Sequence, residues 1–168
     1  KRWFGNEILD CSPECVDLSR VNAGAAVLME HDTGMRCGIT ESGNSTGAGT
    51  VEAEIRLARN AMGDGCLNEI EDGTLRWVSV GYRVDQFLVD EDTEEYRAVR
   101  WTPLEVSFVS IPADPSARVL RSNTQESEVT MFTRSRNLDP AATTNGSGGG
   151  GTTPAAPAVV TKEDFSRM

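Results

Sequence analysis

The stretch Leu75-Arg76-Trp77-Val78-Ser79-Val80-Gly81-Tyr82-Arg83-Val84 alternates residue by residue. Val78, Val80, Tyr82 and Val84 fall on one side, and Trp77, Ser79, Gly81 and Arg83 on the other. Successive side chains of a strand point to opposite faces, so this spacing predicts a β-strand with one apolar face turned to a core. Upstream, Val51, Ala53, Ile55 and Leu57 alternate with Glu52, Glu54 and Arg56, which predicts a second half-buried strand. Downstream, the acidic run Asp90 to Glu95 reads as a hairpin tip and Tyr96 to Trp101 as the returning strand. Pro103 is expected to break that strand, with Leu104 to Ile111 forming another and Pro112 and Pro115 ending the sheet region.

Further out, Ala25-Ala26-Val27-Leu28-Met29 is a short apolar run that ends at Glu30-His31-Asp32. It reads as a buried strand reaching the surface. Met35 to Glu41 is another short strand, followed by a turn over Gly43 to Gly49. Asn60 to Asp72 reads as a helix capped by Asn60 and stopped by Gly73, with Leu67 and Ile70 on one face and Gly63 and Gly65 weakening it. Trp3, Phe4, Ile8 and Leu9 supply a piece of core, and Ser12-Pro13 opens a turn-rich segment. Many short strands with one helix predict a mainly β, α+β architecture, built on a barrel-like or strongly curved and mainly antiparallel sheet.

After about Leu120 the apolar residues thin out. Gly146 to Gly151 has linker composition, Pro154 and Pro157 follow in an Ala/Thr-rich stretch, and Thr161-Lys162-Glu163-Asp164 has the character of a capping box. The expected organisation is therefore a domain over residues 1–121 and a flexible tail over 122–168 leading to a truncated helix. The chain begins at Lys1 rather than methionine, as expected of a fragment or a processed product.

The 168 residues carry 26 acidic and 16 basic side chains, a formal net charge of −10. That balance argues against a general nucleic-acid binder, which needs clustered Lys and Arg to neutralise phosphates. Arg134 and Arg136 do not make such a cluster. No apolar stretch is long enough for a helix to span a bilayer. Cys11, Cys15, Cys37 and Cys66 have no framework spacing, and reduced thiols are expected.

His31 is the single histidine. At the end of an apolar strand it would be held rigidly with its ring accessible, as a general base requires. Ser79 lies mid-strand on the face opposite the apolar row, beside Gly81, where a missing side chain would admit a substrate backbone. Its surroundings do not form a Gly-x-Ser-x-Gly elbow. Glu105 shares a strand face with Ser107, Val109 and Ile111, where a carboxylate needs a partner or water. These residue types fit a Ser-His-acid set, but their spacing alone does not bring them together.

Three stretches resemble the tailed-phage prohead (procapsid) maturation protease family: Asn22 to Asp32, Asp72 to Tyr82, and Arg100 to Ser107 with Ile111-Pro112-Ala113-Asp114-Pro115. They follow the family order of histidine, serine, acid. The resemblance spans residues 1–121 and differs in having Ala26 where Pro is common and Thr102 where Glu is common. It also implies a further N-terminal strand ahead of Trp3-Phe4-Gly5.

That family is related in fold to the herpesvirus assemblin proteases, so the resemblance implies a compact β-barrel with surrounding helices. It implies Ser79 as nucleophile, His31 as general base and Glu105 as third member, with no cofactor and no metal. It further implies substrates among phage scaffold and major capsid proteins, self-cleavage, and residence inside the procapsid in the host cytoplasm. Homodimerisation is an expectation by analogy with the assemblins. The loop at residues 113–117 is the expected source of oxyanion donors. Two other readings stay open. One is a non-catalytic capsid-assembly or scaffold module, or the protease portion of a protease–capsid fusion. The other is a domain held by zinc on Cys11, Cys15, Cys37 and His31.

Overall fold

The computed structural model describes residues 6–121, 128–134 and 158–161. In chain order the elements are β1 (Asn6–Leu9), α1 (Ser19–Asn22), β2 (Ala26–Met29), β3 (Asp32–Ser45), β4 (Thr50–Leu57), α2 (Ala61–Asp72), β5 (Val78–Asp90), β6 (Glu95–Phe108), β7 (Arg118–Arg121), β8 (Glu128–Arg134) and β9 (Ala158–Thr161). The protein is mainly β, as the alternating segments predict. The strand order is β7-β8-β4-β3-β2-β6-β5-β9, with β1 also on β6. The sheet curls back on itself. Trp77, just before β5, bridges to Arg118 at the start of β7, with Val119 N–H donating to the Arg76 carbonyl at 2.9 Å.

β6 is the central strand. β5 pairs antiparallel along it, while β1 and then β2 pair parallel along its other edge. Between those two strands the chain leaves the sheet through a turn-rich segment strapped over Trp101. The Trp101 indole N–H donates to the Asp10 carbonyl at 2.7 Å. Trp101 and Cys15, and Asp17 and Trp101, are joined by backbone hydrogen bonds. Cys11, Val16, Phe87, Val89, Ala98 and Trp101 pack there as one buried cluster. The other lies between the sheet and α2, and includes Val27, Cys37, Ile55, Cys66, Ile70, Val78, Val106 and Phe108.

β6 runs unbroken through Pro103, against the expectation of two strands. Gly81 faces Glu105 while Tyr82 faces Pro103, so Leu104 is an extra residue with no partner on β5. A β-bulge tolerates a proline that a regular ladder would not. β3 is also longer than expected and carries Gly43, Asn44 and Ser45 into pairing with β4. α2 conforms to the sequence. The Asn60 side chain accepts from Gly63 N–H at 3.0 Å, and Gly73 ends the helix at φ 74°. Gly63 is required there, because a β-carbon would overlap the Ala58 backbone.

β8 and β9 fall within the stretch expected to be a tail. β8 pairs with β4 and β7, and β9 with β5. Thr161, expected to open a helix, ends β9. Residues 162–168, with the rest of that expected helix, and Trp3 and Phe4 lie outside the described residues.

Candidate active site

One face of β5 and β6 carries two of the three residues singled out from sequence, Ser79 and Glu105. Directly paired strand residues project to the same face. Ser79 faces Ser107 and Gly81 faces Glu105 across the β5–β6 ladder. On the other side of β6, Ala26 pairs with Glu105 and Leu28 with Ser107. The intervening residues Val27, Val78 and Val106 turn inward and are fully buried in the core. Alternation therefore separates an apolar inner face from a second face bearing Ser79, Glu105 and Ser107, on which Ser107 and its neighbour Leu28 are themselves buried.

His31 reaches the same place from a turn. Met29 pairs with Asp32, so Glu30 and His31 form a two-residue connection between β2 and β3. Both have positive φ, 50° and 61°. Such tight hairpins favour Asn and Gly, and holding other residues there costs about 1–3 kcal/mol each. The end of β6 and the loop after it hold the turn in place. Glu30 N–H donates to the Phe108 carbonyl at 2.9 Å. The Glu30 carboxylate accepts from the Ser110 N–H at 2.7 Å and hydroxyl at 2.6 Å. These bonds, hydroxyl first, lower the Glu30 pKa below its ordinary value.

The His31 Nδ1 lies 2.7 Å from Glu105 Oε1. The other carboxylate oxygen, Oε2, accepts from the Ser107 hydroxyl at 2.6 Å. Ser107 Oγ in turn accepts from the His31 backbone N–H at 3.2 Å. One hydroxyl thus fixes both the carboxylate and the base of the turn. The Glu105 side chain is 17% exposed and that of His31 43%, so the ring is open to solvent while the carboxylate behind it is sheltered. The Glu105 carboxylate sits over Gly81, where a β-carbon would overlap Oε1. The space that the sequence suggested for a substrate backbone is filled by this side chain.

Ser79 is half-buried, whereas Ser107 is fully buried. Among the described residues no hydrogen bond joins Ser79 Oγ to the imidazole, as is common before substrate aligns such groups. Ser107 is the residue that sequence reasoning passed over. Its signal was its position two residues from Glu105 on the same strand face.

In the loop expected to hold an oxyanion, the Ser116 N–H is bound to the Asp114 carboxylate and the Ala117 N–H to the Asp114 carbonyl. Pro112 and Pro115 have no N–H to offer. The four cysteines are free thiols. The zinc set does not assemble: Cys11 and Cys37 lie in separate core clusters and His31 is bound to Glu105 on the outer face. No helix among the described residues is long and apolar enough to cross a membrane.

The profile of the family described as caudovirus prohead serine protease matches residues 4–132. The chain is 32% identical over 145 residues to a protein named major capsid protein from Halomonas phage phiHAP-1. That alignment covers 83% of this chain and 24% of the phage protein, so the chain spans about a quarter of its relative's length. No solved structure matches the chain. With the profile matched over most of the chain, and the segments bearing Ser79, His31 and Glu105 inside the match, this chain belongs to the caudovirus prohead serine protease family.

Proposed function

We propose that the chain is a serine endopeptidase, with Ser79 as nucleophile, His31 as general base and Glu105 as the orienting acid. The observation that carries this reading is the 2.7 Å contact of His31 Nδ1 with the sheltered Glu105 carboxylate, on the face that also bears Ser79. A carboxylate on Nδ1 holds the proton there and leaves Nε2 as the basic nitrogen. Ser79 Oγ attacks the scissile carbonyl carbon and its proton passes to Nε2. The imidazolium, stabilised by Glu105, returns that proton to the leaving amine, and water then cleaves the acyl-serine with His31 again as base. Ser107 is not the nucleophile, because it is fully buried and its hydroxyl is bound to Glu105 and the His31 backbone.

The substrates in this reading are scaffold and capsid polypeptides inside the procapsid, including the polypeptide to which the protease belongs. The relative named major capsid protein, about four times the length aligned, supports a protease joined to a capsid protein. Confinement within a shell raises local concentration and lowers the affinity a protease needs. The same name favours a second reading, a non-catalytic assembly module. Intact-mass measurement over time of the complete polypeptide, with Ser79 and with Ser79→Ala, separates the two. Shortening at defined bonds that stops in a folded Ser79→Ala variant supports the protease. Identical behaviour of both folded proteins in the presence of capsid protein supports the module.

A further inference from the structure

An open cleft of about 680 Å³ adjoins the His31–Glu105 pair, and Arg20, Leu28, Arg36 and Glu105 are among its lining residues. It lies on the face already described. Leu28 pairs with Ser107 on one side and with Arg36 of β3 on the other, so Ser79, Ser107, Leu28 and Arg36 stand in one row across four strands, with Ser107 and Leu28 buried between the two ends. Arg20 approaches from α1. Its Nε donates to the carbonyl of Leu104, the bulged residue of β6, at 2.8 Å, which leaves the rest of its donor fork available. Among the described residues neither Arg20 nor Arg36 has a carboxylate within ion-pair distance. The nearby carboxylates are engaged otherwise: Glu105 by His31 and Ser107, and Asp32 by the Gly34 N–H at 2.8 Å. Two exposed guanidinium groups converging on one cleft are unusual in a chain of net charge −10.

Resting on the protease reading, we propose that this cleft is a substrate subsite in which Arg20 and Arg36 receive the carboxylate of an Asp or Glu side chain near the cut bond. Arg forks suit carboxylates, and Leu28 supplies an apolar floor for the aliphatic part of such a side chain. Arg36 stands three strands from Ser79, about 14 Å at roughly 4.8 Å per strand spacing. An extended substrate crossing the strands covers that distance in about four residues. The acidic side chain therefore lies within about four residues of the cleaved bond.

Two measurements on the whole chain test this. A proteome-derived peptide library digested with the wild type, Arg36→Gln and Arg20→Gln/Arg36→Gln reports the residues around every cut. Glutamate and aspartate enriched at one position within that range, lost in the variants while cuts without the acid persist, is the expected result. Replacing that acid by its amide in a synthetic peptide should lower kcat/KM by about 10- to 100-fold in the wild type. It should change it little in the double variant. Arg36→Glu, which leaves the Arg20–Leu104 bond intact, should shift the preference towards lysine.

Binding of glutamate and glutamine peptides to Ser79→Ala, read by fluorescence anisotropy, separates this inference from the protease reading. Arginine-dependent glutamate binding without any cleavage keeps the acid-binding cleft and sinks the protease. Cleavage with no acidic preference, or with a preference unchanged in the double variant, overturns the subsite and leaves the protease standing. No cleavage and no arginine-dependent binding overturns both.

Discussion

The Glu105 carboxylate occupies the volume that a β-carbon would fill at Gly81 on the neighbouring strand. The glycine is therefore a packing partner of the acid. Gly81→Ala should push Glu105 off His31 and lower kcat about 100-fold, the scale of a misplacement near 1 Å. It should also destabilise the fold by about 1–3 kcal/mol through overpacking. Adding Glu105→Ala should restore the melting temperature but not the activity. Thermal unfolding and peptide-cleavage kinetics on the single and double variants check this, and activity retained in Gly81→Ala would refute it.

Ser107 bonds Glu105 and the His31 turn from a fully buried position. Ser107→Ala leaves a carboxylate oxygen and an amide unpaired at a cost of about 1–3 kcal/mol. As a positioning residue, its loss should reduce kcat by about tenfold or more with KM nearly unchanged. Steady-state kinetics beside denaturant unfolding distinguish this from a purely structural role, which would lower stability alone.

The lowered pKa of Glu30 gives the His31 turn a pH dependence. A depressed carboxylate contributes stability that is complete above its ordinary value of 4.5 and lost as pH falls through the lower folded value. The melting temperatures of wild type and Glu30→Gln should therefore differ at neutral pH and converge below pH 4.5. A gap that persists unchanged in acid would show that the Ser110 bonds do not depend on the charge.

Within α2, two glycines should respond in opposite directions. A β-carbon at Gly63 overlaps the Ala58 carbonyl oxygen, whereas one at Gly65 meets nothing within 4 Å. Gly63→Ala should destabilise by at least about 1–3 kcal/mol. Gly65→Ala should stabilise by about 0.5–1 kcal/mol through helix propensity. Urea midpoints of the two variants read this directly.

Where local chemistry and global packing agree, the sequence was easily read. β4 buries Val51, Ala53, Ile55 and Leu57 as their alternation predicts, and α2 starts and stops at Asn60 and Gly73. The β2–β3 turn was illegible because Glu30 and His31 lack the usual turn chemistry, and the bonds that hold them come from residues far along the chain. The continuity of β6 was illegible because only the pairing with β5 reveals that Pro103 sits beside a bulge. His31, Ser79 and Glu105 were reached through resemblance, since nothing local joins residues on three separate strands and turns. The cleft arginines had no signal at all, because only the placement of α1 beside the sheet brings Arg20 and Arg36 to the lining of one cleft.

The bulge at Leu104 also determines which length changes this chain can survive. Beyond it, Glu105 and Ser107 look outward while Val106 and Phe108 look into the core. One residue inserted or deleted between Pro103 and Ser107 would exchange those two sets, burying the acid and exposing the apolar side chains. The tip between β5 and β6 lies at the far end of the hairpin, where added or lost residues leave the Ser79–Ser107 pairing untouched. Natural variation in length among relatives should therefore collect at residues 91–94 and be absent from 103–107.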